Sequence, residues 1–335
     1  MPAAVADQAG RVPSTAAPAR FATVLGLAAV ALVVALHWML PVTDPQTGRV
    51  TTAAAAAVVL AAPLGLLAAG IAGLTGTGGL PAVARAALPF AVVALPLTDG
   101  ADRLLWLPAA LVALTAGRPT LVRLHARWRG AELAATVAAA VAADLAGSPV
   151  ATVAAVWLGA YQTGVLVRAG TLDRLRPGHA LTAALAGTAV GASGLVLSAL
   201  SGEDGAALPS AAVLLGFTAA QLGLALAARP LIDRWTDVRP VAGGLAWLAP
   251  RLVTAYLWQL PAVALVAAVT VRVAGYVPPT TFDQRWRSDL PWWLLWSAIT
   301  LVLAVHLIGR VGTALPRTHR VSGSSTLQPQ GRLEA

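Results

Sequence analysis

Ionisable and amide side chains are scarce in the long apolar stretches of this chain, so each one that falls there is a possible centre of chemistry. His37, in the run VVALHWML, has two readings. It is an interfacial imidazole beside Trp38, or a general base, because a neutral imidazole near pH 7 can take a proton from a hydroxyl. His306 reads as a hydrogen-bonding residue between helices, with a direct chemical role as the alternative. Asp144 closes another apolar stretch, either as a solvated helix end or as a partner that orients a histidine. Arg85, in PAVARAALP, either snorkels to the membrane surface or holds a phosphate of a donor. Tyr161, Gln162, Gln221, Tyr256 and Gln259 lie deep in their stretches. Such groups usually join helices, but five of them together point to a polar cavity.

Other chemistry is excluded or disfavoured. The chain has no cysteine, which removes disulfides, thiolate metal sites and cysteine nucleophiles. No cluster of His, Asp and Glu has metal-ligand spacing, so neither a metal nor a permanently bound cofactor is expected. The stretch GLTGTGG, residues 73–79, lacks the Gly-Lys-Ser/Thr ending of a phosphate loop and reads as a tight connection. Trp292, Trp293 and Trp296 read as an interfacial belt. Trp235 and Trp247 flank an arginine-containing connection that reads as a surface-lying amphipathic segment.

The elements that must position these residues are transmembrane helices. Hydrophobic residues make up 58% of the chain and charged residues 11%, against about 25% charged in a soluble domain. Ten apolar segments recur, at about 21–40, 51–74, 80–98, 104–117, 131–146, 149–168, 180–200, 208–228, 251–273 and 290–312. A span needs about 20 residues, so the fourth and fifth are short and are expected to be tilted, re-entrant or extended. The first reads as an uncleaved helix, since HWMLPVTDP follows it with no small-residue cleavage site. The expected organisation is a disordered segment over 1–20, a ten-span all-α membrane domain over 21–312, and a disordered tail over 313–335.

The arginines orient this bundle. Every basic residue other than histidine is arginine. Eighteen of them fall in the N-terminal segment, in every second gap or the span ends beside it, and in the tail, accompanied by six acids. The remaining five share the other gaps and the span ends beside them with eight acids. Positive charge retains a loop on the cytoplasmic side, so both termini are expected inside, in the inner (plasma) membrane. The same placement beside spans, with no single basic face, argues against a nucleic-acid partner despite the formal charge of +9. The lipid bilayer is the expected partner.

Two regions resemble the membrane acyltransferase-3 family of the O-antigen acetylase type, especially its actinobacterial members. One is LGLAAVALVVALHW, ending at His37 and Trp38. The other is RPLIDRWTDVRPVAGGLAWLAPRLVTAYLWQLPAVALVAA, residues 229–268, where Thr254, Ala255, Tyr256, Leu257, Trp258 and Gln259 match a span that reads T-x-Y-L-W-H in the family. Weaker likeness follows in order through RLHARW, VAADLAG and VWLGAYQTGVLVRAGTL. The resemblance implies ten spans and transfer of an acyl group from acyl-CoA to a hydroxyl of an envelope glycan, lipid or metabolite. It assigns His37 as general base. Arg85, Tyr161, Gln162, Tyr256, Trp258 and Gln259 are then the candidates for donor and substrate binding. Two positions depart from the family: its first-span arginine is Gly26 here, and its ninth-span histidine is Gln259. A catalytically degenerate relative that binds a lipid or supports a partner enzyme is therefore an alternative. A ten-span transporter is another, although two inverted halves are not evident.

The arginine pattern makes a direct prediction. A single cysteine placed at Ser322 reacts with a membrane-impermeant maleimide only after the cells are opened. Labelling from outside intact cells would reverse the orientation.

Overall fold

The computed structural model describes residues 16–39, 52–73, 79–97, 101–200, 208–276 and 284–314. The N-terminal residues 1–15, the tail 315–335 and most of the glycine-rich connection, 74–78, lie outside them. The first helix, α1 (Ala16–Met39), starts within the segment expected to be disordered.

Alanine, leucine and valine dominate the chain, and in an apolar surrounding the backbone has only its own carbonyls to bond, so helix is the available solution. The order is α2 (Thr52–Ala72), α3 (Gly79–Pro89), a π turn at Phe90–Ala94, α4 (Leu95–Leu97), a 3-10 turn at Ala101–Leu105, α5 (Trp106–Ala116), α6 (Arg118–Trp128) and α7 (Ala131–Leu145). After these come α8 (Pro149–Arg168), α9 (Pro177–Leu200), α10 (Ala211–Thr236), α11 (Arg239–Leu248), a 3-10 turn at Ala249–Arg251, α12 (Leu252–Arg272) and α13 (Gln284–Ala314). No strand occurs among the described residues. The π turn has a local cause: Pro96 has no N–H for the carbonyl four residues back, and the Leu95 N–H bonds instead to Phe90, five back.

Among the described residues, six helical segments are long and apolar enough to cross a bilayer: 18–38, 149–168, 177–200, 211–236, 239–272 and 284–310. The expected fourth span, 104–117, corresponds to α5 alone, which bends by 62° at Gly117 into α6, in the expected arginine-bearing connection. Together the two helices are either a broken span or a re-entrant loop. The expected fifth, α7, is a helix of 15 residues. The connection flanked by Trp235 and Trp247 contains the short helix α11, and both indoles are exposed.

Two crossings bring backbones into contact. A Cβ at Gly70 would lie 2.2 Å from the Tyr161 carbonyl oxygen, and one at Gly164 would lie 2.3 Å from that of Leu67. Helices α2 and α8 therefore meet with no side chain between them, as small residues permit in membranes. Gly187 and Gly216 do the same for α9 and α10. Contacts also gather one set of helix ends. Arg168 at the end of α8 donates to the Ile71 and Ala72 carbonyls at the end of α2, at 3.0 and 2.9 Å. Arg20 pairs with Asp237 beyond α10 at 2.8 Å, and Arg229 with Asp173 at 2.9 Å.

Gly164→Val should drive α2 from α8 and cost about 1–3 kcal/mol by overpacking. Gly309→Val, where nothing lies within 4 Å of the added carbon, should cost far less. Thermal unfolding in detergent measures both, and equal losses would contradict the backbone crossing.

Candidate functional site

The α1 and α12 helices build the first site. His37, in the last turn of α1, is 1% exposed, and Gln259, on α12, is fully buried. Their side chains meet with the Gln259 Nε2 2.5 Å from the imidazole Nδ1. An amide nitrogen only donates, so in this arrangement Nδ1 accepts and the neutral ring carries its proton on Nε2. The neighbouring Trp38 donates its indole N–H to the Gln259 carbonyl at 3.4 Å, giving α1 a second hold on the same residue. Gln259 Oε1 is buried with no hydrogen-bond partner among the described residues.

Beside this pair lies a cavity of about 280 Å³ between α1, α2, α5 and the α11–α12 junction. It extends from Ala19 and Gly73, at the arginine-bearing helix ends, to Val33 and Tyr256. Val33 is one turn before His37 on α1, and Tyr256 is one turn before Gln259 on α12. The cavity wall is mostly apolar, with small residues such as Ala22, Ala29, Ala61 and Gly65 beside the larger Leu107 and Leu111. Gly26 belongs to this wall, and a Cβ there would already meet the Leu252 side chain at 3.0 Å. Arg118 packs against Gly73, where a Cβ would sit 2.1 Å from its Nη1. That nitrogen is buried and has no hydrogen-bond partner among the described residues.

The expected polar cavity is thus corrected to an apolar one, because most of the polar residues serve as struts. Tyr256 reaches the wall, but its hydroxyl donates to the Leu104 carbonyl at 3.0 Å. Gln221 donates to the Leu60 carbonyl at 2.7 Å, joining α10 to α2. Tyr161 is fully buried away from the cavity, and its hydroxyl has no partner among the described residues. Trp258 packs edge-on against Phe90 with ring centroids 6.3 Å apart. The Arg85 side chain lies outside the described residues, although its backbone belongs to α3. His306 is exposed on α13.

Gln162 belongs to a second cluster, which sequence reasoning missed. It donates to Glu132 Oε1 and to the Leu121 carbonyl, both at 3.3 Å. Glu132 is 2% exposed, and its Oε2 accepts the Gly130 N–H at 2.7 Å. Its Oε1 lies 2.6 Å from His125 Nδ1, and His125 Nε2 lies 3.1 Å from the Thr171 hydroxyl. A left-handed pair, Arg129 (φ 51°) and Gly130 (φ 112°), folds the last turn of α6 beside the first turn of α7 and so creates this contact. In the sequence, HARWRGAE reads only as a charged connection. Arg-Gly before a helix was the available signal for a tight turn, and nothing pointed to Thr171. Asp144, read as a solvated helix end or as a histidine-orienting carboxylate, is half-buried in the last turn of α7, and Glu132 contacts a histidine instead. Among the described residues no cluster of ligating side chains is arranged for a metal ion.

Comparison of the chain with protein-family models, with curated proteins and with solved structures gives no match.

The His37–Gln259 bond predicts strong coupling. Gln259→Leu leaves a buried imidazole nitrogen unpaired and should cost about 1–3 kcal/mol. His37→Phe combined with Gln259→Leu should cost less than the sum of the single changes. Additive losses in a double-mutant cycle would show that the pair is not bonded.

Proposed function

We propose that the chain is a ten-span plasma-membrane protein with both termini cytoplasmic, and that it transfers an acyl group from acyl-CoA to a hydroxyl of an envelope glycan, lipid or metabolite. One observation carries this reading: an apolar cavity runs from arginine-bearing helix ends to within one helical turn of a buried imidazole. An acyl chain suits the mostly apolar wall. Arg118, at the mouth, suits the phosphates of the donor. The α1–α12 contact, His37 against Gln259, joins the two regions on which the resemblance to the acyltransferase-3 family rests.

In this mechanism His37 removes the acceptor's proton as the hydroxyl oxygen attacks the thioester carbonyl. The carbon–sulfur bond then breaks, and the coenzyme A thiolate takes up the proton. Gln259 can bond either tautomer. With its nitrogen on Nδ1, the ring proton lies on Nε2. Rotating the amide puts Oε1 on an Nδ1–H and moves the basic lone pair to Nε2. Gln259 cannot act as an acid or base itself, so the reaction depends on one histidine at this place.

Gly26 favours a second reading. With glycine where the family has arginine, this part of the cavity carries no charge, which suits a subunit that holds a lipid or acyl chain without transferring it.

Protein in lipid nanodiscs, given short-chain acyl-CoAs and envelope lipid extracts, separates the readings by release of free thiol. Turnover that His37→Ala abolishes, with folding retained, supports the enzyme. Fatty-acyl binding without repeated thiol release supports the binding subunit. Gly26→Trp should plug the cavity and remove both. Arg118→Gln should weaken acyl-CoA binding roughly tenfold, about 1.4 kcal/mol, and leave binding of an uncharged chain unchanged. Normal binding by Gly26→Trp would show that the cavity is not the site.

A further inference from the structure

We propose that Thr171, His125 and Glu132 form a second, nucleophilic site at the arginine-bearing end of the bundle, one that accepts small acyl groups from activated esters and thioesters. Nucleophilic hydroxyl chemistry requires a base within hydrogen-bond reach of the hydroxyl, and a third group that orients the base. All three are present. Thr171 Oγ1 is 3.1 Å from His125 Nε2, and His125 Nδ1 is 2.6 Å from Glu132 Oε1. Because a carboxylate accepts, Nδ1 carries the proton, and the Nε2 lone pair is directed at the threonine hydroxyl.

Burial and exposure are distributed as such a site needs. Glu132 is buried and held by donors from Gly130 and Gln162 as well as His125, so its position is fixed. Thr171 is exposed. Its backbone N–H is bonded to the Leu166 carbonyl at 3.1 Å, which anchors the turn that presents the side chain. A lock for the α6–α7 turn would need only the histidine and the glutamate. It gives no reason for a hydroxyl from the α8–α9 connection, 46 residues away, to occupy the other ring nitrogen. Arg127 and Arg129 follow His125 closely, and Arg168, Arg174 and Arg176 surround Thr171 in sequence. They favour an anionic leaving group such as a coenzyme A thiolate.

The step is balanced. The Thr171 oxygen attacks the carbonyl carbon as His125 Nε2 takes the hydroxyl proton. The tetrahedral intermediate collapses, the carbon–sulfur bond breaks, and the thiolate leaves with that proton. The products are an acyl-threonine ester and a free thiol. The site does not depend on His37 or on the apolar cavity.

The test is acylation of the full chain in lipid nanodiscs by p-nitrophenyl acetate and by acetyl-CoA, read by mass spectrometry of the peptide that contains Thr171 and by the p-nitrophenol burst. One acetyl group on Thr171 is expected. Thr171→Val should lose it, and Thr171→Ser should retain it. Because Thr171 is exposed, neither change should disturb folding. Glu132→Gln keeps an acceptor for Gly130 and for the turn. It should slow acylation roughly hundredfold, the scale of general-base assistance. Because its NH2 group then faces the Gln162 amide donor, it should also lower the unfolding temperature, which Thr171→Val leaves unchanged. His37→Ala should acylate normally, so a failure here leaves the cavity reading standing, and the reverse also holds. An identical burst from wild type and Thr171→Val, or acetyl found only on other residues, would make the cluster a structural lock and end the proposal.

Discussion

A hydrogen-bonding group placed among apolar helices has no water to turn to, so it must be paired inside the protein or go unpaired at a cost of about 1–3 kcal/mol. That constraint organises this bundle. Gln221 spends its amide on the Leu60 carbonyl, and Gln162 spends its amide on Glu132 and Leu121. Tyr256 gives its hydroxyl to Leu104, and Gln259 gives its amide to His37. Each bond ties a helix to an element distant in sequence. At the helix ends Arg168 does the same for the last carbonyls of α2, where a cation also complements the helix dipole.

Small residues are the second half of the design, and they have opposite results in two places. At Gly70 and Gly164 they let α2 and α8 touch backbone to backbone. Between α1, α2, α5 and the α11–α12 junction, the same preference for alanine and glycine leaves a cavity. Gly26 shows the balance: its hydrogen keeps the cavity open, while the Leu252 side chain stands at contact distance from where a Cβ would be.

The two imidazole contacts differ in chemistry because their partners differ. His37 meets a neutral amide, which can turn over and reverse its role, so the tautomer is not fixed by the partner. His125 meets a carboxylate that only accepts when ionised, so its proton is held on Nδ1 and its other nitrogen is left to a hydroxyl. The first pair lies one turn beyond an apolar cavity, and the second lies beside exposed backbone at a helix end. Geometry of the same kind thus underlies both proposals, acyl-chain chemistry in one place and attack by a protein hydroxyl in the other.

Composition and periodicity determined the helical membrane class, since long alanine, leucine and valine runs leave the backbone no partners but its own. They also located most of the helices and marked the fourth and fifth segments as irregular; α5 bends into α6, and α7 is short. The sequence by itself also singled out His37, Tyr256 and Gln259, because an uncompensated polar residue in an apolar run is conspicuous wherever it points. It could not say which of the amides faced a cavity. Helix azimuth is decided by neighbours, and every polar residue expected to line one proved to be tied to another element, wholly buried or both. Nor could it find Thr171 and His125. Those residues sit in connections where polar groups are ordinary, and only the left-handed turn at Arg129–Gly130 and the packing of α7 on α8 bring carboxylate, imidazole and hydroxyl into one line.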